Sequence, residues 1–219
     1  MTSVKIISTN DGSHTLHSER HNAHYHSTNG AIQESFHVFI KNGFDYIELN
    51  KISILEIGFG TGLNATLTAS SAKITKHLTR YTGIDLYPLD EDLLLKLNYT
   101  SFLNSSDIEN WDKIIKANWN EEELINDFFY LKKMTADFIS LNLTDRYNLI
   151  YFDAFAPDDQ PEMWTCDIFK KLYQATEPNG IIVTYCSKGI VKQALREAGY
   201  IVSRLPGPLG KRHMVRAIK

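Results

Sequence analysis

Two hydropathy periods alternate along the chain: short apolar runs with β-type patterning, and longer stretches with apolar residues three and four apart, the signature of an α/β protein. Residues 4–16, VKIISTNDGSHTL, alternate and turn at Asp11-Gly12, which predicts a hairpin. Residues 27–46 carry Ile32, Phe36, Phe39 and Ile40 at helical spacing and stop at Asn42-Gly43; polar Gln33, Glu34 and His37 interrupt the apolar face, and any of them can face a cleft. Residues 52–57 read as an apolar strand that runs into Gly58, Gly60 and Gly62 and then a helix from about Leu63 to Ala72. A strand over 80–85 follows, then a helix beginning in 88–98. Residues 99–127, with Trp111, Trp119 and the acidic run 121–123, are expected to form a helical insertion capping one side of a sheet. A third strand over 130–137 ends in an acid. The near-continuous apolar run 147–153, YNLIYFD, fits a strand buried on both faces and delivers Asp153 to its carboxyl edge. A helix over 167–175, a strand over 180–186, a helix over 187–198 stopped by Gly199, and strands over 200–205 and 213–218 complete a seven-stranded, mostly parallel sheet. Residues 1–50 are expected as an extension packed on a core domain spanning 51–219.

Composition narrows the class. Hydrophobic content of 43 % and charged content of 22 % are those of an ordinary globular domain, and 219 residues bury a substantial core without staples. No apolar run approaches the ~18 residues of a membrane span, and the N-terminus lacks the plan of a signal peptide, so a cytoplasmic protein is expected. Cys166 and Cys186 lie far apart with no ligand spacing and read as reduced. Five histidines fall within residues 14–26 (His14, His17, His21, His24, His26), but their spacing fits no zinc pattern; polar surface and substrate contacts are the preferred reading, and no metal is expected. Net charge is −3, yet the segment from Lys188 to Lys219 holds eight Lys and Arg against the single acid Glu197. A basic end on an acidic body is compatible with a local RNA-binding face, and equally with a solvated helix and tail.

Chemistry enters at the glycine turn. Gly60-x-Gly62-x-x-Ala65 formally fits a dinucleotide fingerprint. Glu56, two residues before the first glycine, argues against it: a carboxylate there repels a diphosphate and accepts hydrogen bonds from an amino-acid ammonium. Glu-x-Gly-x-Gly-x-Gly is the pattern carried by S-adenosylmethionine (SAM) methyltransferases. Asp85 lies 23 residues beyond Gly62, where an acid ending the second strand can bind ribose hydroxyls. Asp137-Phe138 is placed to meet an adenine amino group and its ring. SAM is the preferred ligand; a dinucleotide and a turn that merely permits packing stay open at this point.

With Asn29 to Ser35 (NGAIQES), LEIGFGTGLNA (55–65), FDAFAP (152–157), Pro161-Glu162-Met163-Trp164 and GPLGKRHM (207–214) assembled, the chain resembles the MnmC/MnmD family of tRNA-modifying methyltransferases over essentially its whole length. The resemblance implies a Rossmann-like class I SAM-dependent methyltransferase that converts 5-aminomethyl-(2-thio)uridine to 5-methylaminomethyl-(2-thio)uridine at the wobble position of the tRNA anticodon. It implies SAM held by Glu56, Gly58, Gly60, Gly62, Asp85, Asp137 and Phe138, with Asp153 as active-site acid. Tyr25, Glu34, Phe155 and Trp164 are expected around the methionine end or the uracil, and Lys211 with Arg212 on tRNA phosphates. In two-domain members an FAD-dependent oxidase follows; this chain ends after the last methyltransferase strand, so methyl transfer alone is expected, with a separate enzyme supplying the aminomethyl precursor.

The attacking amine has an unperturbed pKa of ~10.4, so only about one in 10³ is neutral at pH 7. Asp153, near ~4 unless buried, is a weak base for such a proton and is expected to orient the amine by accepting a hydrogen bond. Two other classes compete: an aminopropyltransferase resembling spermidine synthase or another small-amine methyltransferase, and a catalytically silent tRNA-binding module.

Overall fold

A computed structural model describes residues 4–219. The chain begins with β1 (Val4–Ser8), β2 (His14–Ser18) and the short β3 (Ala23–His24), an antiparallel three-stranded sheet whose first turn contains Gly12 at φ +84°. The helix expected over 27–46 is three pieces: α1 (Ala31–Ser35), a π-helical turn (Phe36–Lys41) and a 3₁₀ turn (Phe44–Tyr46). The π turn places Val38, Phe39 and Ile40 all in the core and leaves Phe36 50 % exposed.

The main body runs β4 (Lys51–Ile57), α2 (Leu63–Thr75), β5 (Leu78–Asp85), α3 (Glu91–Leu94), a 3₁₀ turn (Asn98–Ser101), α4 (Ser105–Lys116), β6 (Glu122–Asn126), β7 (Phe129–Thr135), β8 (Tyr147–Phe152), a 3₁₀ turn (Pro161–Trp164), α5 (Cys166–Ala175), β9 (Thr176–Thr184), α6 (Gly189–Glu197), β10 (Ile201–Pro206) and β11 (His213–Ile218). The sheet has eight strands, in the order β10-β11-β9-β8-β4-β5-β7-β6. The eighth strand is β6, inside the segment expected to be a helical insertion; only its first half, α4, is a long helix. β6 pairs antiparallel with β7, and its acids serve as edge-strand charges: Glu122 lies opposite Lys132 and 3.7 Å from Arg80. A bulge between Leu124 and Asn126 breaks the alternation that would have marked it as a strand.

Alternation in the central strands divides the core into two layers. Leu55, Ile57, Ile150 and Phe152 pack with α5 and α6 on one face; Ile54, Leu149 and Tyr151 pack with α2, Ile114 of α4 and the π turn on the other. A third cluster, Leu16, Ala31 and Ile40 with Leu63, Leu67, Tyr99 and Trp111, fastens the N-terminal residues to α2 and α4. Strand order reverses at β4, which has β5 on one side and β8 on the other, so a crevice opens at the carboxyl ends of these strands. Among the described residues no helix is long and apolar enough to cross a membrane.

Lys133 of β7 is 2 % exposed and donates to the carbonyls of Ile114 (3.0 Å) and Ile115 (3.1 Å), closing the C-terminal end of α4. Replacing it by Met deletes both donors and leaves two buried carbonyls unpaired. Lys133→Met is expected to lower unfolding free energy by about 1–3 kcal/mol, read from urea denaturation.

Candidate active site

The glycine turn is built by close approach. Gly58 has φ +88°, and a Cβ there would stand 2.6 Å from the Asp153 carbonyl; Gly60 has φ +51°, with Tyr25 3.2 Å from its Cβ position. Only glycine lets β4 end so close to β8. Gly62, at φ +76°, starts α2 facing Phe59 and Ile114, away from the cleft. Gly58 and Gly60 line a cleft of about 770 Å³, with Thr61, Leu63 and Asn64 at the start of α2.

Asp85 closes β5. Its two oxygens accept from Gly60 N–H and Tyr87 N–H, each at 2.9 Å, which leaves further lone pairs for hydroxyl donors. Burial pushes its carboxyl above the ordinary range. Asp137 is exposed at the rim and accepts from Ile139 N–H at 2.9 Å; Phe138 is 4 % exposed, and its ring carries the Lys171 ammonium 4.5 Å away. Both line the cleft.

Asp153 sits just after β8. Its Oδ2 accepts from the Asn64 amide at 2.8 Å, and Oδ1 has no partner among the described residues. Desolvation, then repulsion from Glu34, pushes its carboxyl up to about 7, against the Asn64 hydrogen bond and the Lys211 charge. Asp153, expected to be an ordinary carboxylate unless buried, is the buried case.

Besides Gly62, three expected contacts change. Glu56 is fully buried behind Asn64 and does not reach the cleft wall. Trp164 is 4 % exposed and lies beneath the loop: its indole N–H donates to the Phe155 carbonyl at 2.7 Å, which pins the loop, and of the two aromatic residues Phe155 faces the cleft. The pair Lys211 and Arg212 is split. Lys211 turns inward to an ion pair with Glu34 and sits 4.0 Å over the Tyr185 ring; Arg212 stays exposed. Glu34 also accepts from Ser27 N–H at 2.6 Å and lines the cleft as expected.

The N-terminal residues close the other wall. His21 stacks on Phe155 with centroids 4.5 Å apart, Tyr25 meets the same ring edge-on at 5.1 Å, and Arg20 lies 3.8 Å over Tyr87. His24 and His26 also line the cleft, and burial pushes His26 down to about 4, keeping it neutral. Among the described residues no group of three or more His, Cys, Asp or Glu could hold a metal. Asn64 and Tyr185 escaped sequence reasoning. The signal for Asn64 was its place: a polar residue in the first turn of α2, whose side chain leans back toward the strand ends.

Six carboxylates (Glu34, Asp85, Asp137, Asp153, Asp159, Glu162) line the cleft against Arg20 and Lys211. That balance disfavours a diphosphate and suits a sulfonium bearing an ammonium. With glycines at the switch point and an acid ending the next strand, fold and cleft define a class I SAM methyltransferase. A family model described as S-adenosyl-L-methionine-dependent methyltransferase matches residues 110–219, and the chain belongs to that family.

Its relatives make it an MnmC-like methyltransferase domain. It is 30 % identical over 87 % of its length to the tRNA 5-methylaminomethyl-2-thiouridine biosynthesis bifunctional protein MnmC of Burkholderia thailandensis, covering 31 % of that protein. It is 27 % identical over 98 % of its length to an uncharacterized protein of Methanocaldococcus jannaschii, covering 59 % of it. The chain thus spans less than two thirds of either relative. The crystal structure of MnmC2 from Aquifex aeolicus superposes with TM-score 0.82 at 23 % identity, covering 99 % of this chain and 70 % of that one, a likeness of fold.

Gly58→Ala forces a side chain into both a left-handed backbone and the Asp153 carbonyl. It is expected to cost about 1–3 kcal/mol and to weaken SAM binding, read by thermal melting and calorimetric titration.

Proposed function

We propose that this protein methylates the exocyclic aminomethyl nitrogen of a modified uridine at the tRNA wobble position, using SAM. The observation that carries the reading is Asp153: one oxygen is tied to Asn64 and the other is left for the cleft, in a wall shared with Tyr25, Phe155 and Tyr185. An acid so placed suits an amine nucleophile, and aromatic rings beside it suit a flat base. The residue pattern shared with the MnmC/MnmD family, and the printed name of the Burkholderia relative, support the particular amine.

Bound SAM supplies an electrophilic methyl group on its sulfonium. Gly58 and Gly60 let the ligand approach the backbone, and Asp85 offers lone pairs to ribose hydroxyls. Asp153, at about 7, is a far better match for an alkyl ammonium of ~10.4 than an ordinary carboxylate. It accepts the amine's hydrogen bond through Oδ1 and takes its proton with a remaining gap of about three units. Phe155, held by Trp164 and covered by His21, shields that exchange from water, which favours the neutral amine.

The tRNA is held outside the cleft. Lys192, Arg204 and Arg212 crowd around His213, and none forms an ion pair among the described residues; phosphates are their natural partners. A cytoplasmic location and a separate enzyme delivering the aminomethyl precursor go with this substrate.

Asp153→Asn is expected to slow single-turnover methyl transfer about 10²-fold or more with SAM binding retained; a rate near wild type sinks the role. Labelled SAM offered with tRNA carrying aminomethyluridine, tRNA lacking it, or putrescine is expected to label only the first. Label on putrescine alone would replace this reading with small-amine chemistry.

A further inference from the structure

Glu56 is the acid that announces the cofactor loop, yet its surroundings are wrong for a carboxylate that meets a ligand. It is 0 % exposed and off the cleft wall. Its Oε1 accepts one Asn64 amide hydrogen at 2.8 Å, while Asn64's second donor contact goes to Asp153 Oδ2 at 2.8 Å. Among the described residues its Oε2 meets no strict hydrogen-bond geometry, and neither does the adjacent Tyr81 hydroxyl, which stands close to Glu56 and as a donor would favour the charged form, against the larger effect of burial. The charged groups nearest it, Asp153 and Asp85, carry the same sign.

A buried carboxylate with no counter-charge and two acidic neighbours is a costly species. A neutral carboxylic acid removes the charge and gains a donor at Oε2, which the Tyr81 oxygen can accept. The Asn64 amide is oriented by the same pair of acids. Turned over, its oxygen would face both of them; as it stands, that oxygen is buried without a partner.

We propose that Glu56 works as a neutral carboxylic acid and a positioning residue: through the Asn64 amide it fixes Asp153 at the cleft wall, and it does not meet the ammonium of the cofactor. The positioning half rests on the role given to Asp153 above. The groups facing Glu56 are Asn64 on α2, Tyr81 and Asp85 on β5, Tyr151 on β8 and Asp153 after it. Those facing Asp153 are Asn64, Glu34 on α1, Lys211 between β10 and β11, Tyr185 after β9, and Glu56 and Tyr81.

An acid whose folded-state pKa lies above its unfolded value keeps a proton that the unfolded chain loses, so its contribution to stability falls as pH rises above ~4.3. Gln has no such slope. The difference in melting temperature, Glu56→Gln minus wild type, is therefore expected to increase from pH 5 to pH 8; Asp153 contributes a parallel slope to both proteins. By calorimetry Glu56→Gln is expected to bind SAM within about threefold of wild type, whereas loss of a charge-assisted hydrogen bond to an ammonium costs about tenfold or more. Carbon-13 NMR of glutamate-labelled wild type is expected to show one carboxyl carbon at the neutral-acid position at pH 7, absent in Glu56→Gln. This arm needs no folded variant if its assignment is made from the SAM-free protein's resistance to titration. In Glu56→Ala, Asn64 loses an anchor, Asp153 loses part of its hydrogen bond, and the acidic limb of the methyl-transfer profile is expected to move to higher pH, while in Glu56→Gln it stays. A tenfold fall in SAM affinity for Glu56→Gln, or a carboxylate signal for Glu56 at pH 7, overturns the neutral acid; an unmoved limb in Glu56→Ala overturns the positioning role. The binding, melting and NMR arms use no tRNA, so they stand or fall separately from the substrate reading.

Discussion

The site depends on β4 and β8 ending side by side. Asp153 N–H donates to the Ile57 carbonyl at 2.9 Å, and the next residue of β4's turn, Gly58, has no room for a Cβ against the Asp153 backbone. This contact brings the glycine turn and Asp153 together, because strand order reverses there and the two loops part to opposite sides. Asn64 then needs only one helical turn to reach both acids. A looser junction would leave Glu56 and Asp153 as two separately buried acids with no shared donor.

What the sequence made legible follows from how local each signal is. The strand, glycine turn and helix at 52–65 needed only neighbouring residues, and so did the buried run of β8. The bend of α1 into a π turn was hidden because its cause is tertiary: three consecutive apolar side chains meet α2 and the sheet together. β6 was hidden by its acids, which suit an exposed helix as well as an edge strand until Lys132 and Arg80 are seen beside them.

The site divides in the same way. Gly58, Gly60, Asp85 and Asp153 were readable because each stands at a strand end that the pattern marks. Lys211 and Trp164 were misread because residue type names a capability and not a direction. Lys211 is basic and near a basic neighbour, but Glu34, 177 positions earlier, draws it inward. Trp164 is aromatic and in a reactive loop, but an indole N–H needs an acceptor, and the one within reach is the carbonyl of Phe155. Asn64 was overlooked because a helical Asn is unremarkable until two acids converge on its amide.

The inward turn of Lys211 bears on how one small domain would handle both the proposed polyanionic substrate and a cationic cofactor. Had Lys211 stayed beside Arg212 on the surface, Glu34 would have remained an uncompensated buried acid next to Asp153, pushing that carboxyl higher still and leaving it protonated at neutral pH. Drawn inside, the ammonium offsets Glu34 and holds Asp153 near the point where it exchanges a proton. The cations left outside, Lys192, Arg204 and Arg212, form no ion pair among the described residues. Charge is thereby sorted by depth, positive where phosphates would rest and negative where a sulfonium and an amine would meet, and a single lysine sets the boundary between the two.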